Sequence, residues 1–381
     1  QTCALPILGV ADVLLFKEHI GYTQRMMDDI IDLEMEKIEA ILAKIKQDPE
    51  TEEVKQTELN LWTKIRNKTL KGRRTGVGTT AEGDMIAAMG LTYGTPEATE
   101  FSVSVHKALA LAAYRSSVNM ARERGAFEIY DPKREENNPY IQRIREADPE
   151  LYDLMLKYGR RNIACLTIAP TGTTSILTQT TSGIEPVFLP VYKRRRKVNP
   201  SDKDVRVDYV DESGDSFEEY IVYHHKFITW MKTNGIEVRD DYSQEQIEDL
   251  VKRSPYYKAT SNDVDWLNKV KMQGAVQKWV DHSISVTINL PNDISEEMVG
   301  KLYVEAWRSG CKGCTVYRDG SRSGVLISLA GDGKNKKKKE EKKAHYMAEE
   351  EHILKRPVEL EADVVRFQNN KEKWVAFVGL L

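Results

Sequence analysis

The residues best suited to chemistry in this 381-residue chain form a hydroxyl-rich run, Ala169-Pro170-Thr171-Gly172-Thr173-Thr174-Ser175. An apolar stretch at 163–168 reads as a strand leading into it, and a helix is expected to begin near Thr174. A strand-to-helix junction of this kind aims free backbone N–H groups and the positive end of the helix at one point. With the hydroxyls of Thr171, Thr173, Thr174 and Ser175 alongside, that suits a phosphate. The run is not a Walker loop, because the GxxxxGK[ST] spacing and its lysine are missing. An ordinary capped turn has the same composition, since Thr and Ser are preferred there. The residues alone leave both readings open.

Three other patterns could bear on chemistry. Residues 283–290 alternate strictly, with Ile284, Val286, Ile288 and Leu290 on one face and Ser283, Ser285, Thr287 and Asn289 on the other. An exposed antiparallel strand gives that pattern; in a barrel, the polar face would line an interior able to hold a polar substrate. Cys311-Lys312-Gly313-Cys314 is a CxxC, but no second pair exists to complete a zinc site. In extended chain its two thiols would point to opposite faces, so both, like Cys165, read as buried and inert. Tyr317 shares strand parity with Gly313 and Thr315, either facing the same interior as the Thr171–Ser175 turn or standing as a core or rim tyrosine.

The elements that must position these residues are strands separated by helices, which argues for an α/β sheet or barrel. Helices are expected at 25–46, with acidic and basic residues on the face opposite Met27, Ile31, Ile38 and Ile45, and at 84–91 and 97–124. Residues 73–80 read as a short strand and turn, and 283–290 and 314–318 as further strands. The basic cluster 193–197 reads as a solvated rim, and the lysine-rich run 334–343 as a linker. Beyond it, 362–367 and 374–380 flank Asn369-Asn370 as a hairpin.

Composition narrows the function classes. A formal net charge of −3 gives no global reason for nucleic-acid or anionic-membrane binding. No apolar run approaches the roughly 20 residues of a membrane span. Four cysteines are too few for a disulfide framework, which makes a cytoplasmic setting the default. Gln1-Thr2-Cys3-Ala4-Leu5-Pro6-Ile7 matches the translation of a widely used sequencing adapter, so residues 1–7 are set aside as an artefact.

Arg73-Arg74-Thr75-Gly76-Val77-Gly78, Arg161-Asn162, the 169–175 run, Ser182-Gly183-Ile184-Glu185-Pro186, Ser285-Val286-Thr287-Ile288-Asn289-Leu290-Pro291 and Gly313-Cys314-Thr315-Val316-Tyr317-Arg318-Asp319-Gly320-Ser321-Arg322 stand in this order. Together they resemble the large chains of ribonucleotide reductases. The resemblance implies the C-terminal part of a ten-stranded α/β barrel at 8–330, a linker at 331–350 and the start of a small C-terminal domain at 351–381. It implies that Pro170, Thr171, Gly172, Thr173, Thr174 and Ser175 grip the phosphates of a ribonucleoside di- or triphosphate, and that Tyr317 is an active-site tyrosine. The thiyl cysteine, its glutamate and asparagine fall outside the chain, so the segment alone is expected to be inactive. Members served by a separate radical-generating subunit carry two adjacent tyrosines at Tyr317, where this chain has Arg318 next. That points to the adenosylcobalamin-dependent class, in which the cofactor makes the radical in place. The family also implies deoxynucleotide and ATP effectors acting through upstream regions, a thioredoxin-like reductant and a homodimer. Two alternatives stay open: a reductase using a metal-containing partner subunit, and a non-catalytic nucleotide-binding barrel.

Overall fold

The computed structural model describes residues 11–198, 206–210, 216–319, 321, 362–369 and 372–379. The chain divides into two compact units, Gln1–Leu329 and Ala330–Leu381.

Unit 1 begins with helices whose starts are written in the sequence. α1 (Val13–Gln47) and α2 (Glu52–Gly72) follow Asp12 and Thr51, whose side chains accept from the Leu15 and Val54 amides. After the short α3 (Glu82–Ala88), the helices α4 (Pro96–Arg124), α5 (Pro132–Glu135), α6 (Pro139–Ala147) and α7 (Pro149–Tyr158) each open on proline. Each proline follows a capping Thr95, Asp131, Asn138 or Asp148, where its missing N–H goes unneeded. α8 (Gly172–Thr178) starts two residues earlier than expected. α1 starts twelve residues earlier than the expected 25. Its buried stripe is Ile20, Gln24, Asp28, Ile31, Ile38 and Ile45, so Gln24 and Asp28 turn inward, where an apolar stripe was expected.

Four parallel segments cross this unit in the order 75–79, 164–168, 282–290 and 315–318. β4 (Thr287–Leu290) and β5 (Thr315–Arg318) pair in register, Thr287 beside Thr315 and Asn289 beside Tyr317. The other junctions are single parallel bridges, Val77 to Leu166 and Ile168 to Ile284. The strands expected at 163–168 and 283–290 are thus present as pairing segments, with the full ladder confined to β4 and β5. One physical reason is Asp281, whose carboxylate takes the Cys165 and Leu166 amides at 2.7 and 2.8 Å in place of a strand neighbour. Gly78 permits the tight approach at the first junction: a Cβ there would stand 2.0 Å from the Thr167 carbonyl oxygen.

The two faces of this array differ as the alternation predicts. Ile284, Val286, Ile288 and Leu290 join the main core with Leu109, Val118, Leu151, Val270 and Leu302, which come from α4, α7, α11 (Trp266–Gln277) and α12 (Glu296–Arg308). Ser283 and Ser285 on the opposite face are exposed, and Thr287 and Asn289 half-buried. Helices therefore cover one face, the polar face is open, and the described strands form an open parallel array rather than a complete barrel.

An antiparallel unit interrupts the array. β1 (Val191–Lys197), β2 (Tyr209–Val210) and β3 (Ser216–Tyr223) form a sheet in the order β1-β3-β2, followed by α9 (His225–Thr233) and α10 (Gln244–Arg253). It has its own core of Val191, Tyr223, Phe227, Met231, Ile247, Leu250 and Tyr256. Arg194, Arg196 and Lys197 are exposed on β1, as a solvated rim requires. In unit 2, β6 (Ala362–Asn369) and β7 (Glu372–Gly379) pair antiparallel over the stretches read as a hairpin. Cys3 and the 331–350 linker lie outside the described residues.

Candidate functional site

The hydroxyl-rich turn sits at the carboxyl end of 164–168, the end at which parallel α/β sheets place their ligands. Thr171 has a left-handed backbone (φ 52°) and does not cap α8. Its hydroxyl accepts from the Gly183 amide at 2.6 Å and bonds the Thr80 hydroxyl at 3.1 Å. The first-turn amides of Gly172, Thr173 and Thr174 are left without a side-chain cap, while the Thr173 and Thr174 hydroxyls are exposed. Ser175 is buried, donating to the Gly172 carbonyl at 2.8 Å and bonding the Ser182 hydroxyl at 2.7 Å. Two hydroxyls thus brace the turn from behind, and two face outward. Uncapped amides beside free hydroxyls can receive an anion.

The loop 180–186 that returns from α8 is fixed by groups the sequence reading did not single out. The Thr181 amide donates to Asp84 Oδ2 at 2.8 Å, and the Tyr93 hydroxyl to the Ile184 carbonyl at 2.6 Å. Lys269, only 1% exposed, donates to Glu185 Oε2 and to the Thr287 carbonyl, both at 2.6 Å. Glu185 Oε1 in turn accepts from the Thr287 amide at 2.6 Å, so the Gly-Ile-Glu-Pro segment is bolted to β4. The sequence signal for Lys269 is a lysine directly beside the apolar Val270, Met272 and Val276 of α11.

Tyr317 lies near the carboxyl end of β5, half-buried, beside Asn289. Because in-register parallel neighbours share a face, it stands on the open polar face, two strands from the segment that feeds the turn. Arg73, Arg161 and Asn162, which belong to the same motif series, are not at the turn: they gather around buried Asp28.

Of the described cysteines Cys165 is buried as expected, while Cys311 and Cys314, expected to be buried, are only half-buried. Cys165 is fully buried, and burial drives its thiol far upward. Cys311 and Cys314 pack against the main core just before β5. Burial, then the charge of Cys314, pushes Cys311 up to about 11, and burial raises Cys314. At pH 8, about one Cys311 in a thousand is then thiolate, against about one in ten for an unperturbed thiol. Iodoacetamide at pH 8 should therefore label native Cys311 about a hundredfold more slowly than the unfolded chain. Equal rates would show a reactive pair.

A parallel strand array clad by helices on one face, with a hydroxyl-rich turn at its carboxyl edge, is an open α/β arrangement of the barrel type. The profile of the ribonucleotide reductase barrel domain matches residues 9–317, and the chain belongs to that family. It is similar to the vitamin B12-dependent ribonucleoside-diphosphate reductase of Mycobacterium tuberculosis H37Rv, at 31% identity over 68% of this chain and 32% of that protein. It is also similar to the enzyme of that name from Thermoplasma acidophilum, at 26% identity over 72% of this chain and 32% of that protein. The chain spans about a third of the length of these relatives. Among solved structures, the Actinobacillus ureae class Id ribonucleotide reductase alpha subunit aligns over 70% of this chain and 44% of that one, at 15% identity and a TM-score of 0.46.

Proposed function

We propose that this chain is the later part of the catalytic barrel of an adenosylcobalamin-dependent ribonucleotide reductase, which converts ribonucleotides to 2′-deoxyribonucleotides. In this reading Pro170, Thr171, Gly172, Thr173, Thr174 and Ser175 bind the substrate's phosphates, and Tyr317 faces the substrate across the open strand face. The observation that carries it is the pairing of uncapped α8 amides with the outward hydroxyls of Thr173 and Thr174 at the carboxyl edge of a reductase barrel.

The open face fits the cofactor in the chemistry of its donors. Ser285, Asn289 and Tyr317 offer hydroxyls and an amide, which suit a corrin edged with amides. When bound, that group would supply the radical by cobalt–carbon cleavage; the chain's own part is to bind the phosphates and shape the face. Deoxynucleotide and ATP effectors, a thioredoxin-like reductant, a homodimer and a cytoplasmic setting belong to the same proposal. Among the described residues, no helix is long and apolar enough to cross a membrane.

The test is deoxyribonucleotide formation by the full-length reductase containing this segment, with a dithiol reductant, with and without adenosylcobalamin. Cofactor-dependent activity without a partner protein is expected; activity only with a metal-containing subunit would overturn the class. In the same enzyme Thr173→Val should raise KM for the nucleotide about tenfold with kcat nearly unchanged, because a hydrogen bond to a charged group is lost on binding. An unchanged KM would remove Thr173 from the phosphate site.

A further inference from the structure

One buried carboxylate holds the loop behind the turn. Asp84, on α3, is 6% exposed. Its Oδ1 accepts from His224 Nε2 at 2.7 Å and from the Tyr256 hydroxyl at 2.9 Å, while Oδ2 accepts from the Thr181 amide at 2.8 Å. The Asp84 amide donates back to the Thr181 hydroxyl at 3.2 Å. These partners come from separate places: Thr181 from the return loop, His224 from the start of α9, and Tyr256 from just beyond α10. Three donors converging on one group require an acceptor-only side chain with two oxygens, and charge strengthens each bond. The residues after Thr181 then reach the turn, Ser182 bonding the Ser175 hydroxyl and the Gly183 amide bonding Thr171. The Ala81 and Glu82 amides, which donate to the Thr181 and Gly183 carbonyls at 3.0 and 3.2 Å, tie the same loop to the start of α3.

Resting on the reading of the turn as the phosphate site, we propose that Asp84 is a positioning residue for phosphate binding. It sets the Thr181–Gly183 segment, and through it the Thr171 and Ser175 braces that present the first turn of α8. It also ties that turn to the antiparallel unit that supplies His224 and Tyr256. Asp84 touches no substrate in this scheme; its effect is specific to the phosphate end.

The experiment measures Kd for cytidine diphosphate and for cytidine in the full-length reductase, with thermal unfolding recorded for each variant. The wild type should bind the diphosphate more tightly than the nucleoside. Asp84→Ala should weaken the diphosphate about tenfold and leave cytidine unchanged. Asp84→Asn should recover only part of the loss, its oxygen accepting from Thr181 while its amide nitrogen, a donor, replaces the acceptor that Tyr256 and His224 now use. Should the alanine variant not fold, Tyr256→Phe, close to isosteric, should weaken the diphosphate alone by about threefold. Equal weakening of both ligands, or of neither, would overturn the proposal and leave Asp84 a structural residue. A wild type that binds cytidine as well as its diphosphate would instead sink the phosphate reading, and the positioning role with it.

Discussion

Replacing Asp28 by alanine is expected to cost unit 1 about 3–5 kcal/mol, the range for removing one partner of a buried ion pair. The Asp28 side chain is wholly buried, and every atom of its carboxylate is engaged. It accepts from Arg73 Nε at 2.9 Å, Asn162 Nδ2 at 2.9 Å and Arg161 Nε at 3.2 Å. Arg73 is itself 4% exposed and held in a left-handed backbone (φ 44°). Alanine would leave its guanidinium in the interior with only Asp32 at 2.7 Å and the Asp28 carbonyl as partners. Asn162 would lose one of the contacts, with Gln24, Ser117 and the Arg73 carbonyl, that make it a hub. Urea unfolding of the wild type and variant measures the loss, and a difference below about 1 kcal/mol would show the network to be idle.

Acid should act through the same residue. Burial alone would raise the Asp28 carboxyl; the hydrogen bond and charge of Arg73, the Asn162 amide and the Arg161 charge outweigh it and hold it below its ordinary 3.8. A carboxyl lowered in the folded state contributes stability in full above its unfolded value, and that contribution drains away as pH falls through 3.8 toward the folded value. Asp28→Asn should therefore be less stable than the wild type at pH 7, with the gap closing below pH 3.8. A constant gap would assign the loss to geometry rather than charge.

Asp28 also shows what the sequence could and could not convey. Local patterns reported faithfully: α4 begins one residue from its expected start, the 283–290 alternation separates a buried from an open face, and the 169–175 run leads from a parallel-bridged segment into a helix. Each depends on neighbours within a turn or two of chain. Asp28 read as part of a solvated face because its partners lie 45, 133 and 134 residues away, and periodicity carries nothing about them. The same holds for Asp84, whose partners stand 97, 140 and 172 residues on. α2 escaped notice for another reason: its apolar row of Leu59, Trp62 and Ile65 is short and only half-buried, and apart from Gly72 it buries no residue. The antiparallel unit was masked by charge, since β1 is one valine, one tyrosine and five basic residues, and its core is supplied largely by α9 and α10. Motifs located the mouth of the array, while the charged groups that hold it became visible only once the chain was folded.

Gly183→Ala should do the most damage to the mouth itself, because two independent costs fall on one atom. Gly183 has φ 49°, a region where a Cβ costs about 1–2 kcal/mol. The added carbon would also stand 2.8 Å from the Ala169 carbonyl oxygen, closer than real Cβ contacts allow. Ala169 is backbone at the end of a paired strand, so it cannot swing aside as a flexible side chain would. Relief has to come from the 182–184 segment, which would carry the Gly183 amide away from Thr171 and loosen the Ser182–Ser175 bond. The expected result in the full-length reductase is a loss of about 2–3 kcal/mol in kcat/KM, roughly fiftyfold, carried mainly by KM for the nucleotide. Global stability should fall less than in Asp28→Ala, because no buried charge is exposed or orphaned. Gly235→Ala is the control, since it has a similar left-handed backbone (φ 69°), a Cβ there meets nothing within 4 Å, and it lies just after α9, away from the turn. If both alanine variants raise KM equally, the effect belongs to left-handed backbone strain in general rather than to the mouth. If neither does, the return loop does not set the geometry of the turn, and phosphate binding at 171–175 would have to stand on the outward hydroxyls alone.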